Sequence, residues 1–269
     1  MVVPNLSGPI FAATIQTFSD VLAEHSYQSM LASSYFSLAQ EESAVRAFLG
    51  WSPAALVLTS RHHSEGTEQL IANTGIPVIE VWDYAPERVP IQIGFRHDTV
   101  GEMAATYLLE RGYQRIAFVQ NALAGDLSAL DRRDGYAEVI KAAGRTPIFY
   151  SPTRSSPFDA GEEALIALTQ VADPADAIIM ANDNLAIGAI LAAQRLGIAV
   201  PSQCAIMGFG DYPLAEKLQP SLTTIRPPSG EMGALAAQHA LALLGALDTD
   251  ASVSRLNQLP CSLIMRESA

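Results

Sequence analysis

Short apolar runs alternate with segments of helical periodicity along nearly the whole sequence. The runs are rich in β-branched residues and lie at residues 54–59, 77–82, 115–120, 176–181 and 204–209. Strands as apolar as these are typical of parallel sheets that helices cover on both faces. The alternation therefore predicts an α/β fold built from doubly wound parallel sheets.

The segments between the runs carry signals for helix boundaries. Ile10, Ile15 and Phe18 fall on one face of a helix. Ser64 and Asp98 stand where N-cap residues are expected. Several helices are expected to end at a glycine, which tolerates the left-handed conformation of a helix C-terminus, namely at Gly50, Gly75, Gly112, Gly144 and Gly197.

The number of strand–helix units is too large for one small open sheet, so we expect two lobes. Residues 89–98 and 222–228 are the predicted crossings between them, the second because two prolines there cannot continue a helix or an inner strand. The expected N-terminal lobe comprises residues 1–96 plus 227–252, and the C-terminal lobe comprises residues 97–226 plus 253–269.

Composition excludes several classes of protein. Of 269 residues, 49% are hydrophobic and 16% charged, which allows a sizeable core. The formal net charge of -12 disfavours contact of this chain with nucleic-acid phosphates. No apolar run predicts a membrane span, and the first residues lack the features of a secretory signal. Cys204 and Cys261 lie far apart without Cys or His neighbours, so we expect neither a metal nor a cofactor, and a cytoplasmic location.

Polar and aromatic side chains follow the predicted strands. In open α/β sheets, ligands bind beyond the carboxyl ends of the strands. The candidate ligand-binding residues near these ends are Ile10, Phe11, His63, Asp83, Phe158, Asn182 and Asp211. An asparagine amide both donates and accepts hydrogen bonds, which suits the hydroxyls of a sugar-like ligand.

Each candidate also has a purely structural interpretation. Asn182 or Asp183 could cap the helix that follows, and Asp83 could belong to a turn. His63 could be a solvated loop residue, and Phe11 could be part of the core. Their convergence on one edge of the sheets favours the binding interpretation.

Two adjacent arginines, Arg132 and Arg133, enter a predicted helix. A cation at a helix N-terminus opposes the helix dipole, so such an arginine needs a partner. The partner is either an anionic or hydroxylated ligand, more readily for Arg132 than for Arg133, or a neighbouring carboxylate of Asp131 or Asp134.

Several segments together resemble the LacI-type transcriptional repressors. The C-terminal series ANDNLAIGA and RLGIAVPSQCAIMGFGDYPLAEKLQPSLTTI is the most specific. RRDGY matches the family's R-x-x-G-[YFW] motif, with Arg132 in the arginine position. VVPNLSGPIFAATIQ, GIPVIEVWD and GFRHD match the first lobe and its crossing, and within the family GFRHD and MGFGD are most similar to the gluconate-operon repressor subgroup.

The resemblance implies two periplasmic-binding-protein-like lobes of type I, joined by three crossover segments. It also implies an effector bound in the cleft and dimerisation through the lobes. By the same resemblance, Arg132 would hold ligand hydroxyls or a carboxylate bidentately, and Asn182 would bind hydroxyls. The residues implied on the first-lobe side are Ile10, Phe11 and Asp83, and Phe158 would be the stacking residue of the second lobe.

Two features depart from the family pattern. The helix-turn-helix headpiece and hinge helix are missing, because the sequence starts inside the first strand. Either the sequence is an excised effector domain or the protein has lost its DNA-reading part, and we favour excision, in which case the domain meets operator DNA only through that headpiece. Gly210 occupies a position where many sugar-binding relatives have aspartate, and the acid moves to Asp211. Losing a carboxylate from a binding cleft reduces repulsion toward an anionic ligand, which favours a sugar acid over a neutral sugar.

The favoured interpretation is therefore the effector-binding and dimerisation domain of a LacI-type regulator that senses a small sugar acid such as gluconate. The alternative is a sugar-binding protein of an importer, which shares the two-lobe fold. An enzyme is disfavoured, because the sequence contains no P-loop, GxSxG, HExxH or GxGxxG pattern.

Overall fold

The computed structural model describes residues 1–6, 8–121, 125–247 and 253–269. The chain forms two compact units, which we call the N-terminal lobe (Met1–Arg96 and Pro228–Pro260) and the C-terminal lobe (His97–Pro227 and Cys261–Ala269). The chain therefore passes from lobe to lobe three times, after Arg96, Pro227 and Pro260, and the three predicted crossovers are present.

Strands and helices alternate along the chain. The first pass through the N-terminal lobe contains β1 (Val2–Val3), α1 (Pro9–Glu24), β2 (Ala32–Ser33), α2 (Leu38–Leu49), β3 (Leu56–Thr59), α3 (Glu65–Asn73), β4 (Val78–Val81) and β5 (Ile91–Gly94). The C-terminal lobe follows with α4 (His97–Glu110), β6 (Ile116–Val119), α5 (Leu127–Ala142), β7 (Ile148–Tyr150), α6 (Pro157–Thr169), β8 (Ala177–Met180), α7 (Asp183–Leu196), β9 (Ala205–Phe209), a short 3-10 helix (Ala215–Lys217) and β10 (Thr223–Arg226). The chain then adds α8 (Ser229–Leu243) and β11 (Leu256–Gln258) to the N-terminal lobe and β12 (Ser262–Ile264) to the C-terminal lobe.

Each lobe contains one six-stranded sheet, which confirms the predicted doubly wound α/β class. The order is β11-β5-β4-β3-β1-β2 in the N-terminal lobe and β12-β10-β9-β8-β6-β7 in the C-terminal lobe. All strand pairs of the first sheet are parallel, and the second is parallel except for β10 with β12. Each of the five predicted strands contains an observed one, because buried parallel strands have apolar residues on both faces.

Three of the predicted helix boundaries, at Ser64, Asp98 and Gly197, have different outcomes. The hydroxyl of Ser64 accepts the Thr67 amide N–H at 3.0 Å and caps α3 as expected. Asp98 lies inside the first turn of α4 rather than before it, where its carboxylate accepts the Thr99 amide N–H at 2.8 Å. Gly197 ends α7 with a φ of 71°, the left-handed conformation that favours glycine at this position.

The return from the N-terminal lobe differs from the expected boundary between residues 252 and 253. Strand β11 pairs with β5, with Asn257 beside Ile93, so residues up to Pro260 belong to the N-terminal lobe. The closing segment therefore supplies one strand to each sheet. Within the described residues, no helix is both long and apolar enough to cross a membrane.

Candidate functional site

The order of strands in each sheet reverses at one point. In the C-terminal lobe, β6 and β8 are neighbours, but the chain leaves β6 toward β7 on one side and continues from β8 toward β9 on the other. In open α/β sheets, ligands bind at such a topological switch point, beyond the carboxyl ends of the strands. Gln120 follows β6 and Asn182 follows β8, so both lie at this point of the C-terminal lobe.

Arg132 projects from α5 into a cage formed by an imidazole, a backbone carbonyl and an aromatic ring. The guanidinium Nη1 lies 2.9 Å from Nδ1 of His97, and Nη2 donates to the carbonyl of Ala181 at 3.2 Å. The Cζ atom lies 4.3 Å from the ring centroid of Phe209, within the range of a cation–π contact. Arg132 is only 5% exposed, so the cage holds a buried cation.

The charge of Arg132 has little compensation. Among the described residues, Asp126 provides the carboxylate within 4 Å, and its Oδ2 is 3.9 Å from Nη2. Burial lowers the pKa of Arg132, and Asp126 partly offsets this effect. The Nε atom is buried without a hydrogen-bond partner among the described residues. Leaving a buried N–H donor without an acceptor costs folding free energy. The Nε–H of Arg132 can therefore donate a hydrogen bond to an acceptor atom of a ligand.

Asn182 is the N-cap of α7. Its Oδ1 accepts the Leu185 amide N–H at 3.2 Å, which realises one of the two structural roles considered for this junction. Because Oδ1 is engaged in this cap, the amide nitrogen of Asn182 is the atom that would donate a hydrogen bond to a ligand. This ligand role stays a prediction.

Asp183 is a fully buried carboxylate rather than a cap. Its oxygens accept the hydroxyl of Thr224 at 2.6 Å and the amide N–H of Tyr212 at 2.7 Å. Burial raises the pKa of Asp183 to about 6, although both hydrogen bonds favour the charged form. A Cβ on Gly208 would come within 2.1 Å of the Asp183 carboxylate, so only glycine leaves room for it. Asp183 therefore ties the β8–α7 junction to the residues after β9 and to β10.

Asp211 is held by two arginines. Its carboxylate lies 2.6 Å from Nε of Arg226 and 2.7 Å from Nη1 of Arg266. These ion pairs neutralise the carboxylate and tie it to β10 and the C-terminal segment. The predicted ligand contact of Asp211 would compete with them, so we do not include Asp211 in the proposed site.

Gly210 has a backbone that other residues seldom adopt. Its φ is 132°, and a Cβ there would lie 2.3 Å from the ring of Tyr212. Glycine at this position therefore has a steric reason that is independent of the ligand. Gly210→Asp would disturb the local backbone as well as add a charge.

An aromatic cluster lies at the carboxyl edge of the N-terminal lobe's sheet. Phe11 in the first turn of α1 contacts Trp82 with ring centroids 4.9 Å apart, and Phe95 lies 6.0 Å from Trp82. Trp82 Nε1 donates to the hydroxyl of Thr14 at 3.2 Å. Phe11 and its neighbour Ile10 are half-buried, so their predicted ligand contacts remain predictions.

Asp83 follows this cluster and is fully buried. Its Oδ1 accepts the Tyr84 amide N–H at 2.9 Å, and its Oδ2 accepts the Arg61 amide N–H at 3.4 Å. Nη1 of Arg61 lies 3.7 Å from Oδ1. The turn role that the sequence left open for Asp83 is present, and its ligand role stays a prediction.

His63 lies inside a network of charges in the N-terminal lobe. Its Nδ1 is 2.6 Å from a carboxylate oxygen of Glu41, and its Nε2 is 3.3 Å from Glu80. Burial disfavours the charged imidazole, but the two carboxylates outweigh it and raise the pKa of His63 to about 9. The side chain has no exposed surface, so His63 is not the solvated loop residue that was the structural alternative, and its predicted ligand contact stays a prediction.

Phe158 is the second residue of α6, which follows β7 and so begins near the carboxyl edge of the C-terminal lobe's sheet. Its side chain is 45% exposed. An exposed aromatic side chain at this edge is compatible with the predicted stacking role, which stays a prediction.

Sequence reasoning did not identify the residues that surround Arg132. His97 lies in the quoted segment GFRHD and Phe209 in MGFGD, but nothing in their spacing places them against Arg132. The partner of His63 could have been inferred more easily. Glu80 is a charged residue in the middle of a buried strand, and such a residue requires a partner of opposite charge.

Comparison with known proteins identifies the family. Residues 105–269 match the model of the periplasmic binding protein-like domain. The chain is 31% identical over 250 residues to the HTH-type transcriptional regulator GntR of Pseudomonas aeruginosa, covering 91% of this chain and 71% of that protein. The crystal structure of the transcription regulator GntR from Chromobacterium violaceum is 32% identical with a TM-score of 0.90, covering 99% of this chain and 97% of that one. A LacI family transcriptional regulator from Silicibacter pomeroyi is 27% identical with a TM-score of 0.88, covering 99% of this chain and 97% of that one.

The chain belongs to the LacI family of transcriptional regulators. LacI-family proteins bind small-molecule effectors and operator DNA and are not enzymes, so the described lobes form an effector-binding domain. The importer alternative has no support among these relatives, which are transcriptional regulators.

Proposed function

We propose that this LacI-family domain senses a small sugar acid such as gluconate. The supporting observation is the environment of Arg132 in the C-terminal lobe. Among the residues that the structure describes, the buried guanidinium has no partner for Nε and no carboxylate nearer than 3.9 Å. A ligand carboxylate would supply both the missing acceptor and the missing negative charge.

The other polar groups at this edge favour an acceptor-rich ligand. Oxygens that already accept a hydrogen bond or an ion pair belong to Asp126, Ala181, Asn182, Asp183 and Asp211. The hydroxyl hydrogens of a neutral sugar and of a sugar acid would compete alike for these engaged oxygens. The two ligands differ in the carboxylate, which only accepts and can therefore pair with the Nε–H of Arg132 without adding another donor.

Two further residues at the carboxyl edge of the C-terminal lobe's sheet would contact the effector. We propose that the amide nitrogen of Asn182 donates to a hydroxyl oxygen of the effector. We also propose that the exposed ring of Phe158 covers apolar C–H groups of the sugar acid.

The effector would act by shifting a conformational equilibrium. It favours one arrangement of the domain only by its differential affinity for the two states. We propose that this shift controls operator binding through a helix-turn-helix segment outside this sequence, in a cytoplasmic protein.

We also propose that the regulator works as a homodimer. Exposed apolar side chains cluster in sequence around β2 and α2, namely Met30, Leu31, Tyr35, Leu38 and Trp51. Apolar patches of this kind commonly mark surfaces for protein partners. A monomer in sedimentation velocity at micromolar concentration would contradict this part of the proposal.

Thermal unfolding against a ligand panel tests the effector class. The panel contains gluconate, other aldonates and their phosphates, neutral aldoses and purines. A ligand at 100 times its Kd adds about 2.7 kcal/mol to the stability of the folded state. For a chain of this size, that corresponds to an increase of about 5–10 °C in Tm.

The panel separates the alternatives directly. An increase in Tm with aldonates alone supports the sugar acid and the role of Arg132. An increase with only neutral sugars or purines contradicts the anionic effector and leaves the family assignment unaffected.

A further inference from the structure

Gln120 is a second buried donor that has no acceptor among the described residues of the C-terminal lobe. Its Oε1 accepts the hydroxyl of Ser151 at 2.7 Å, which directs the amide nitrogen to the opposite side. That nitrogen, Nε2, is buried and has no hydrogen-bond partner within the described residues. The backbone N–H of Gln120 donates to the Tyr150 carbonyl at 2.9 Å, so the position of the residue is also fixed.

Gln120 stands beside the residue that anchors Arg132. Val119 pairs with Met180 in the parallel ladder of β6 and β8, and the next residues are Gln120 and Ala181. The amide N–H of Ala181 donates to the Val119 carbonyl at 2.9 Å, so the ladder extends to this level. Neighbouring strands lie about 4.8 Å apart. The Ala181 carbonyl accepts a hydrogen bond from Nη2 of Arg132. Two donor atoms without a partner among the described residues, Nε2 of Gln120 and Nε of Arg132, therefore belong to side chains at the same switch point of the sheet.

We propose that Gln120 is a specificity-determining residue, whose amide nitrogen donates to the effector carboxylate that Arg132 binds. This inference rests on the proposed function and adds the residue that distinguishes an acid from its neutral analogue. A carboxylate presents only acceptors, whereas a carboxamide of the same shape presents two N–H donors. A carboxamide that meets donors from both Gln120 and Arg132 leaves some of them unpaired, and unpaired buried donors cost binding energy.

The variant Gln120→Glu tests this inference by replacing the donor with a carboxylate of nearly the same shape. We would measure Kd by isothermal titration calorimetry for gluconate and for gluconamide, its neutral analogue. The affinity for gluconate should fall about 10- to 100-fold, the effect of losing a hydrogen bond to a charged group. The affinity for gluconamide should be unchanged or higher, because its N–H groups can donate to the new carboxylate.

Two further variants make the test specific. Gln203→Glu adds the same charge to an exposed position before β9, at the opposite end of that strand, and should leave both affinities as in the wild type. Ser151→Ala removes the hydroxyl that orients the Gln120 amide. It should reduce the preference for gluconate over gluconamide by a smaller factor, and Ser151 is exposed, so the fold should tolerate the change.

The outcomes distinguish this inference from the proposed function. If the wild type binds gluconate and Gln120→Glu binds it as tightly as Gln203→Glu does, the inference is overturned and the proposed function stands. If the wild type binds no aldonate, both are overturned. If Gln120→Glu does not fold, Ser151→Ala decides, and an unchanged preference for gluconate overturns the inference.

Discussion

The buried carboxylate of Asp183 should make the stability of the C-terminal lobe depend on pH in a specific direction. Both of its oxygens accept a hydrogen bond, from Thr224 and from the Tyr212 amide. In Asp183→Asn, the amide oxygen can still accept from Tyr212 and the amide nitrogen can donate to the Thr224 hydroxyl. The substitution therefore removes the charge and keeps a satisfied network.

The expected magnitude follows from the pKa of Asp183. Burial raises it from 3.8 to about 6, so the folded lobe disfavours the ionised form. The stability gained by protonation is fully present below pH 3.8 and is lost as the pH rises through about 6. One pKa unit corresponds to about 1.4 kcal/mol, so the whole change is about 3 kcal/mol. By the same linkage, about 2 kcal/mol of it falls between pH 4.5 and pH 7.

Urea unfolding of the wild type and Asp183→Asn at several pH values measures this effect. Both tryptophans, Trp51 and Trp82, belong to the N-terminal lobe, so their fluorescence reports that lobe. Far-UV circular dichroism follows both lobes and reveals the transition of the C-terminal lobe. The variant should gain about 2 kcal/mol relative to the wild type between pH 4.5 and pH 7, in that transition alone.

The difference between variant and wild type is the decisive quantity, because other carboxylates titrate equally in both proteins. Asp134→Asn is the matched control, since the Asp134 side chain is 63% exposed beside Arg133. A difference for Asp183→Asn that stays constant with pH, as expected for the control, would refute the argument from burial.

Two further predictions concern buried contacts. His63→Leu removes the cation shared by Glu41 and Glu80; Glu80 keeps Arg88 at 2.6 Å, so Glu41 is the carboxylate that loses its partner. The substitution should destabilise the N-terminal lobe by about 3 kcal/mol in urea unfolding followed by fluorescence. Because the pKa of His63 is raised to about 9, this difference should be complete below pH 6.5 and shrink as the pH rises through 9; a constant difference would contradict it. Gly208→Ala places a Cβ 2.1 Å from the Asp183 carboxylate and should destabilise the C-terminal lobe by about 1–3 kcal/mol by circular dichroism, whereas an unchanged midpoint would show that the carboxylate has room to move.

The fold was largely predictable because it depends on local patterns. Buried parallel strands produce apolar runs, and the runs at residues 54–59 and 176–181 contain β3 and β8. Strand β7 was missed, since its three residues follow a proline and give too short a pattern. The assignment of β11 to the N-terminal lobe depends on its pairing with β5, which lies far away in the sequence.

The site was predictable in type and only partly in detail. The predicted place of Arg132 at the entry of a helix was wrong, because α5 begins at Leu127 and Arg132 lies in its second turn, where the helix dipole has little effect. The structure makes Arg132 unusual for another reason, which is its burial against His97, the Ala181 carbonyl and Phe209. Whether His63 faces solvent, a ligand or the interior is decided by Glu41 and Glu80, which are brought to it only by folding. The same holds for Asp183, whose partners lie 29 and 41 residues away along the chain.

A crystal structure of the domain with gluconate tests the central claim most directly. The account predicts a carboxylate oxygen of gluconate at hydrogen-bond distance, about 3 Å, from Nε of Arg132. Gluconate bound with its hydroxyl end toward Arg132, or bound elsewhere while Nε of Arg132 stays unpartnered, would contradict the account.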